Sequence, residues 1–402
     1  MALALGLGAI GLKSASDAQG PERTTASAKR ALPPAAATRA FALDLLRSRK
    51  GNVVVSPHSI AVALAMAGKG AAGTTARQIA TTLHLRGPVA FDDLGKLQNA
   101  IVKRQASAAL GDPEPPTLNM VNGLFLQQRF PVGSAFLSGL GRHFGATAEL
   151  VDFERDLSGA LATINAWVSA RTSGLIPELF KEISSWTRLV LANAVYLDAR
   201  WLHPFNPARN SRGPFRAPDG RVSVEFMNQT SALRYATESD YDAVDLPYRA
   251  STLSFLVVIP KGVEIGAFER RLRPRKLTRI VRDLSPPTRV ALSLPHFHLN
   301  THVELKPTLG GLGMPIAFSN AANFSRITRK AGLKIGTVMH AADLRVDEAG
   351  TVAAAATGVG VEVVSKPVSI NANRPFLFFL RDRKSGAILF AGRLTNPATA
   401  GG

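Results

Sequence analysis

The sequence predicts an α+β fold in one large domain. Helical spacing of apolar residues prevails in the first half of the chain, and strand-like apolar runs prevail in the second. Strands and helices do not alternate regularly, as they would in a doubly wound parallel sheet. The chain has 402 residues, of which 46% are apolar, and this is ample for a large buried core.

Helices are predicted over residues 40–46, 57–67, 74–83 and 160–170. The second of these has the clearest start, because Ser56 is a favourable N-cap and Pro57 takes the first helical position. Gly68 and Gly70 are expected to end that helix, since glycine is unfavourable in a helix interior.

Strands are predicted where apolar runs are short, over residues 52–55, 118–126, 190–197, 253–259, 290–297, 376–380 and 387–391. The run over 190–197 is apolar almost throughout, which indicates a strand buried on both faces. The last two strands are separated by the sequence Lys384-Ser385-Gly386, which is typical of a turn.

Residues 1–37 are predicted to form a leader ahead of the fold. The apolar run from Ala2 to Leu12 resembles the h-region of a signal peptide, but it lacks a basic n-region and is too short to span a membrane. Ser14 to Ala37 is polar and rich in alanine and proline, which predicts disorder. We therefore expect a secreted protein, with a cytoplasmic one as the alternative and no membrane partner.

The absence of cysteine excludes a disulfide framework, a thiolate metal site and a cysteine nucleophile. No Gly-x-Ser-x-Gly motif is present, so a hydrolase is not expected either. A metal site at His296, His298 and His302 is a weaker alternative, because histidines on a strand are usually exposed or hydrogen-bonded and no fourth ligand is evident. No enzyme activity, cofactor or metal is therefore predicted.

The chain carries a net charge of +19, mostly from arginine spread along its length. The densest basic cluster consists of Arg270, Arg271, Arg273, Arg275, Lys276, Arg279 and Arg282. This cluster could bind a heparin-like polyanion or nucleic acid through sulfate or phosphate contacts. A solvated helix face is the favoured interpretation, since no interleaved aromatic residues or base-reading motif accompany the charges.

The stretch from Glu348 to Pro375 has contradictory properties. Between Gly350 and Val361 it has no charge and almost nothing larger than valine, which suits burial between neighbouring strands. Its three glycines and its run of four alanines nevertheless make it a poor strand by itself. The stretch therefore has the small, uncharged side chains of a buried strand without the residues that would stabilise a strand by itself.

Four motifs resemble the serpin family and occur in the same order as in that family. They are Asn52-Val-Val-Val-Ser56-Pro57-His58-Ser59-Ile60, Asn193-Ala-Val-Tyr196-Leu-Asp-Ala-Arg-Trp201, Val346-Asp-Glu348-Ala-Gly350-Thr351 and Asn373-Arg374-Pro375-Phe376. The resemblance covers residues 38–397, with 398–402 as a tail. It implies a single domain of three β-sheets with about nine helices, and an exposed reactive-centre loop over about 348–373.

The resemblance also implies a function. Serpins inhibit serine proteases as suicide substrates, because the cleaved loop inserts into the main sheet before the acyl-enzyme is hydrolysed. The loop hinge would comprise Glu348, Gly350, Thr351, Ala353, Ala354, Ala355, Ala356 and Thr357. The family spacing, counted from Gly350 and from Pro375, places the reactive bond at Val364-Ser365. A register shifted to Lys366 and a non-inhibitory binding or chaperone module are the alternatives.

Valine before the reactive bond favours an elastase-like or subtilisin-like target. By resemblance, the hydrogen-bonded cluster under the central strands, called the shutter, would comprise Ser56, Ser59, Asn193 and His340. The site where the loop first inserts, called the breach, would comprise Trp201, Glu348 and His296. Histidine replaces a common lysine opposite the glutamate, which suggests a weaker or pH-dependent contact. We expect a monomer that is capable of loop-sheet polymerisation.

Overall fold

A computed structural model describes residues 32–87, 89–112, 114–330, 332–351 and 366–400. Nine α-helices lie within these ranges. They are α1 (Pro34–Arg47), α2 (Pro57–Gly70), α3 (Gly73–Thr82), α4 (Ala90–Ala108), α5 (Ser134–Phe144), α6 (Leu157–Arg171), α7 (Ile265–Arg271), α8 (Pro274–Arg282) and α9 (Lys306–Gly311).

The same ranges contain fifteen strands. They are β1 (Val53–Val55), β2 (Thr117–Gln127), β3 (Ala148–Val151), β4 (Leu189–Arg200), β5 (Ser211–Ala217), β6 (Gly220–Thr237), β7 (Tyr241–Pro247), β8 (Leu253–Pro260), β9 (Thr288–Pro295), β10 (Phe297–Glu304), β11 (Thr337–Val346), β12 (Gly350–Thr351), β13 (Val368–Asn371), β14 (Phe376–Asp382) and β15 (Ile388–Leu394). The predicted α+β class is confirmed.

The main sheet has the strand order β10-β11-β4-β2-β3, and β12 adds to β4 at one end. Its two central strands, β11 and β4, run parallel and pair from Thr337 with Val190 to Asp343 with Tyr196. Beyond that point β4 continues to Arg200, and its partner there is β12 instead of β11. The main sheet is therefore closed along most of its length and open between its central strands at one end.

The other strands form two sheets that share β6. Residues 226–233 of β6 pair with β9, and residues 234–237 pair with β7. One of these sheets continues through β8, β14, β15 and β1, and the other contains β5 and β13. The expected three sheets are thus present, and two of them are joined by one long strand.

Helix α2 lies under the main sheet and is buried almost throughout. Ser56 caps it as predicted, since its Oγ accepts a hydrogen bond from the N–H of Ser59. The prediction that Gly68 and Gly70 end the helix is wrong, because α2 includes both. A Cβ on Gly68 would lie 2.6 Å from Cζ of Phe91, and one on Gly70 would lie 2.1 Å from Cγ1 of Ile327. Both glycines thus permit close packing.

The domain includes residues that were predicted to belong to the leader. Helix α1 starts at Pro34, and Ala35 and Ala37 are buried against the rest of the fold, so residues 34–37 belong to the domain and not to a leader. Burial of alanine in a helix that packs on a core outweighs a polar, proline-rich local composition. Residues 1–31 lie outside the described part of the chain. Among the described helices, none has both the length and the apolarity needed to cross a membrane.

Candidate functional site

The open end of the main sheet holds the first residues of the predicted loop. Gly350 pairs with Arg200 and Thr351 with Ala199, in antiparallel register, and both Gly350 and Thr351 are buried. The predicted exposed loop over 348–373 therefore begins too early, because Gly350 and Thr351 belong to the sheet. The reason is that β4 extends past the last residue of β11 that pairs with it, so its free backbone groups are available to the chain that follows β11.

The predicted loop also extends too far at its C-terminal end. Residues Val368–Asn371 form β13, which pairs in parallel with β9. Residues 352–365 lie outside the described part of the chain, and they include the predicted hinge residues Ala353, Ala354, Ala355, Ala356 and Thr357 and the predicted reactive bond Val364-Ser365.

Glycine at position 350 is required by the backbone of β4. A Cβ on Gly350 would lie 2.1 Å from the carbonyl oxygen of Ala199 and 2.7 Å from Cα of Arg200. Both contacts are with backbone atoms, so a side-chain rotation cannot relieve them. The close approach of β12 to β4 therefore depends on glycine at this position.

We predict that Gly350→Ala displaces β12 from β4, because the new methyl group cannot be accommodated beside Ala199. The expected result is faster amide hydrogen exchange at Gly350 and Thr351 than in the unmodified protein. Gly141→Ala is the control, because Gly141 lies in helix α5 and no atom lies within 4 Å of a Cβ built there. Unchanged exchange in Gly350→Ala would contradict the close contact with β4.

Thr351 is held by an aromatic pair. Its Oγ1 lies 2.8 Å from the phenol oxygen of Tyr248, and both residues are buried. The Tyr248 ring stacks on Trp201 with centroids 4.6 Å apart, and Nε1 of Trp201 donates to the carbonyl oxygen of Asp347 at 2.9 Å. Burial raises the pKa of Tyr248 well above its usual range, so the phenol stays neutral and hydrogen-bonds as a hydroxyl. Sequence reasoning missed Tyr248.

Glu348 has a different partner from the one predicted. Its Oε1 accepts a hydrogen bond from Nδ2 of Asn210 at 2.5 Å, and the same amide donates to Oε1 of Glu225 at 3.1 Å. His296 is exposed between β9 and β10, and its backbone N–H donates to the carbonyl oxygen of Glu225. Within the described ranges no ion pair or hydrogen bond joins Glu348 to His296. The carboxylate of Glu348 is bonded instead to Asn210, an uncharged donor.

The four predicted shutter residues are close together in the structure. Nδ1 of His340 lies 2.5 Å from Oδ1 of Asn193, and Nε2 of His340 accepts from the backbone N–H of Ser56 at 3.2 Å. Nδ2 of Asn193 donates to Oγ of Ser59 at 2.6 Å. Because Nε2 is an acceptor, the proton of the neutral imidazole is on Nδ1 and is donated to Asn193. All four residues are fully buried.

Two further residues extend this network, and sequence reasoning missed both. Oδ1 of Asn122 accepts from Nδ2 of Asn193 at 2.5 Å and from Oγ of Ser59 at 3.0 Å. Nδ2 of Asn122 donates to Oε1 of Gln98 at 3.3 Å. The register aligns His340, Asn193 and Asn122 in one row across β11, β4 and β2. The sequence offered one signal for this extension, which is that Asn122 is a polar residue within the strand predicted over 118–126.

Protonation of buried histidine should destabilise this region. Burial lowers the pKa of His340 to about 3 and that of His58 to about 4, whereas an unfolded histidine titrates near 6.5. As pH falls below about 6.5, the unfolded chain binds protons that the folded chain does not. Stability is therefore complete above that pH and is lost progressively toward the folded pKa values.

We predict that the free energy of unfolding falls by about 1.4 kcal/mol per pH unit for each of these two histidines below about pH 6. Urea unfolding at a series of pH values measures this slope. His340→Gln should reduce the slope by the contribution of one histidine, while Leu110→Ala, at an exposed residue that does not titrate, should leave it unchanged. Equal slopes in all three proteins would contradict a neutral His340 in the folded state.

The three histidines considered as metal ligands have separate positions. Nε2 of His298 lies 2.8 Å from Oδ2 of Asp343, and Nε2 of His302 lies 2.6 Å from the carbonyl oxygen of Leu179. His296 is exposed and takes part in neither contact. Among the described residues, no group of three or more potential ligands is arranged to hold a metal ion.

Comparisons with known proteins agree with this architecture. The family model described as serpin (serine protease inhibitor) matches residues 36–397. A serpin-like protein of Thermococcus kodakarensis is 34% identical over 371 residues, which cover 90% of this chain and 85% of that protein. A leukocyte elastase inhibitor of Bos taurus is 33% identical over 380 residues, which cover 90% and 99%.

Solved structures show the same fold. The thermophilic serpin tengpin in its native state superposes with a TM-score of 0.79 at 27% identity, over 90% of this chain and 93% of tengpin. Thyroxine-binding globulin in complex with thyroxine superposes with a TM-score of 0.77 at 26% identity, over 90% and 99%. With the family match over most of its length and relatives above 30% identity, the chain belongs to the serpin family.

Proposed function

We propose that the protein inhibits serine proteases by suicide-substrate trapping. The observation that carries this proposal is the open end of the main sheet, where Gly350 and Thr351 already pair with β4. The chain that follows Thr351 is small and uncharged as far as Val361, which suits burial between β4 and β11. The leukocyte elastase inhibitors among its relatives support the same class of activity.

The chemistry involves one bond in the loop. The hydroxyl oxygen of the protease serine attacks the carbonyl carbon of Val364, and the amine of Ser365 leaves after accepting a proton. The ester that forms would normally react with water. In the proposed mechanism the loop inserts first and carries the protease with it, so that the acyl-enzyme persists.

The topology supplies a driving force for insertion. β4 and β11 are parallel neighbours, and β12 is antiparallel to β4. A strand that continued from β12 between them would therefore be antiparallel to both. Antiparallel ladders are slightly more stable per residue than parallel ones, and each new backbone pair adds to the gain. The uncleaved protein would accordingly be kinetically trapped, and each molecule would act once.

The target class follows from the residue before the reactive bond. Val364, with Val363 and Val361 before it, suits an elastase-like or subtilisin-like protease with a small aliphatic pocket. One methylene in such a pocket changes discrimination by only about 1–3 kcal/mol, so the residues define a class and not an individual protease.

Incubation with pancreatic elastase tests the proposal. We expect a covalent complex that survives SDS, and mass spectrometry should place the cleavage after Val364. The cleaved protein should also unfold at a higher temperature than the intact one, since its sheet has gained a strand. Rapid cleavage with neither a complex nor added stability would contradict the proposed mechanism and would favour the alternative of a non-inhibitory binding module. Thyroxine-binding globulin, which shares the fold, binds thyroxine.

A polyanion is a proposed additional partner. The predicted basic cluster lies on α7, α8 and the turn between them, and six of its seven residues are exposed: Arg270, Arg271, Arg273, Arg275, Arg279 and Arg282. The seventh, Lys276, forms an ion pair with Asp240. Binding to immobilised heparin that weakens steeply with added salt, and that is weaker in Arg271→Ser and Arg275→Ser, would support this partner.

Secretion stays a proposal that rests on the apolar run 2–12.

A further inference from the structure

The hairpin of β5 and β6 presents arginines that lack acidic partners. Arg212 and Arg216 on β5 and Arg221 on β6 are exposed, and Arg216 lies directly opposite Arg221 in the antiparallel register. Within the described ranges, no hydrogen bond or ion pair involves these three guanidinium groups. Like charges directly opposite each other destabilise a pair of strands, so an anionic surface placed against them would be favourable.

The charge around the hairpin is positive overall. Residues 209–225 contain four arginines and two carboxylates. Asp219 is exposed in the turn of the hairpin, and Glu225 lies opposite Arg212. Oε1 of Glu225 accepts a hydrogen bond from Nδ2 of Asn210 at 3.1 Å. One of the two carboxylates is therefore already engaged with an uncharged donor, and the arginines leave an excess of positive charge.

The same segment contacts both ends of the predicted loop. Nδ2 of Asn210 donates to Oε1 of Glu348 at 2.5 Å, before the loop. The backbone N–H of Arg216 donates to the carbonyl oxygen of Asn373 at 2.9 Å, after the loop. The proposed reactive bond lies between these two contacts in the sequence, so a protease that binds it approaches the surface beside the hairpin.

The dimensions are consistent with direct contact. Strand β5 has seven residues and is about 23 Å long. A chain of fourteen residues, such as 352–365, can reach no more than about 24 Å when it is held at both ends. A protease of about 220 residues has a radius of gyration of about 17 Å and is on the order of 40 Å across. A protease held by this segment is therefore within reach of the hairpin.

A recess beside Arg209 adds further donors to this surface. It has a volume of about 230 Å³, and its lining includes Arg209, Asn228, Thr230, Ser293 and Asn371. The register aligns Asn228, Ser293 and Asn371 in one row across β6, β9 and β13. Hydroxyl and amide groups next to a guanidinium are suited to hydrogen-bond a carboxylate.

We propose that this basic hairpin is a second contact surface for the target protease, and that it selects proteases with acidic side chains beside the active-site cleft. The proposal rests on the proposed function, and it narrows the target class beyond what the residue before the reactive bond defines. Surfaces of opposite charge raise the rate of association, and added salt weakens this effect.

A sulfated polysaccharide fits the hairpin less well than a protein surface of mixed charge. Two carboxylates are interspersed among the four arginines of residues 209–225. The densest basic cluster of the chain lies elsewhere, on α7, α8 and the turn between them. The position of the hairpin beside both ends of the loop also favours the molecule that binds the loop.

Pancreatic elastase, before and after treatment with succinic anhydride, tests this surface. Succinylation replaces each lysine ammonium with a carboxylate, so the protease becomes more acidic while its catalytic serine is unchanged. At low salt we expect succinylated elastase to react with the unmodified protein about fivefold faster, per active site, than untreated elastase. The double variant Arg216→Glu with Arg221→Glu should lose most of this gain, and about 0.5 M NaCl should abolish it in the unmodified protein.

The double variant Arg129→Glu with Arg155→Glu is the matched control. Both arginines are exposed, and they follow β2 and β3 at the closed end of the main sheet, where Leu126 pairs with Leu189. The control has the same net charge as the hairpin variant. A difference in rate between the two variants therefore reports the position of the charge and not its total, and we expect the control to keep most of the gain.

Equal rates for the hairpin variant and the control with succinylated elastase at low salt would overturn the proposal. If these rates are equal and the hairpin variant binds immobilised heparin more weakly than the control, the surface belongs to a polyanion instead. Cleavage of the unmodified protein without an SDS-stable complex would contradict the proposed function. The rate of loop cleavage would then still measure the same contact, so the comparison of the two variants would decide this proposal separately.

Discussion

Thr351→Arg is expected to convert the protein from an inhibitor into a substrate. Thr351 is fully buried, and among the described residues its side chain hydrogen-bonds to Tyr248 and to no acidic group that could pair with a guanidinium. Leaving a charge unpaired in such a site costs several kcal/mol, which is more than the insertion of one residue returns. The loop would still be cleaved, but it would insert too slowly to retain the acyl-enzyme.

The measurement is the ratio of cleaved inhibitor to SDS-stable complex after incubation with pancreatic elastase. Thr351→Ser is the matched control, because it keeps the hydroxyl that contacts Tyr248 and adds no charge. We expect complex with Thr351→Ser and almost only cleaved protein with Thr351→Arg. Full inhibition by Thr351→Arg would show that burial of this residue is not part of the mechanism.

The second large effect is expected for Asn193→Ala, which removes the centre of the shutter network. Asn193 connects β4 to His340 on β11 and to Asn122 on β2. Its loss leaves the Nδ1 proton of His340 buried without an acceptor, and we expect a cost of about 2–4 kcal/mol in the free energy of unfolding. Because one of the lost bonds crosses the boundary between β4 and β11, the sheet should also open more readily.

Urea unfolding and size-exclusion chromatography after mild heating measure the two effects. Asn300→Ala is the control, since Asn300 lies on β10 of the same sheet and is exposed, and its side chain hydrogen-bonds among the described residues to Asp343 alone. Asn193→Ala should unfold at lower urea and form oligomers at a lower temperature than this control. If the two variants behave alike, the network contributes nothing specific to closure of the sheet.

The parts of the fold that were predicted well are those with strong local signals. Helix α2 starts at the capping residue Ser56, and β4 contains the apolar run predicted over 190–197. The end of α2 was not predicted, because Gly68 and Gly70 are there for contacts with Phe91 and Ile327. β6 was also missed, since an 18-residue strand that belongs to two sheets has no single periodicity.

In the candidate site, too, some residues could be predicted from the sequence and others could not. Ser56, Ser59 and Asn193 could be named from short motifs and His340 from the family resemblance, and the structure joins them by hydrogen bonds. Asn210 could not be identified as the partner of Glu348, because nothing in the sequence next to either residue indicates the other. A lone histidine near the expected position led instead to His296, which the structure leaves exposed.

The sequence by itself determined that the stretch after Gly350 is small, uncharged and poorly suited to standing alone as a strand. It also carried the motifs from which family, fold class and inhibitory activity were predicted. Only the tertiary structure decided that Gly350 and Thr351 already pair with β4, that Tyr248 and Trp201 hold them, and that Asn122 and Gln98 extend the shutter network to β2 and α4. The physical reason is that composition and capping act between near neighbours, whereas these contacts depend on strand register and packing between segments far apart in the chain.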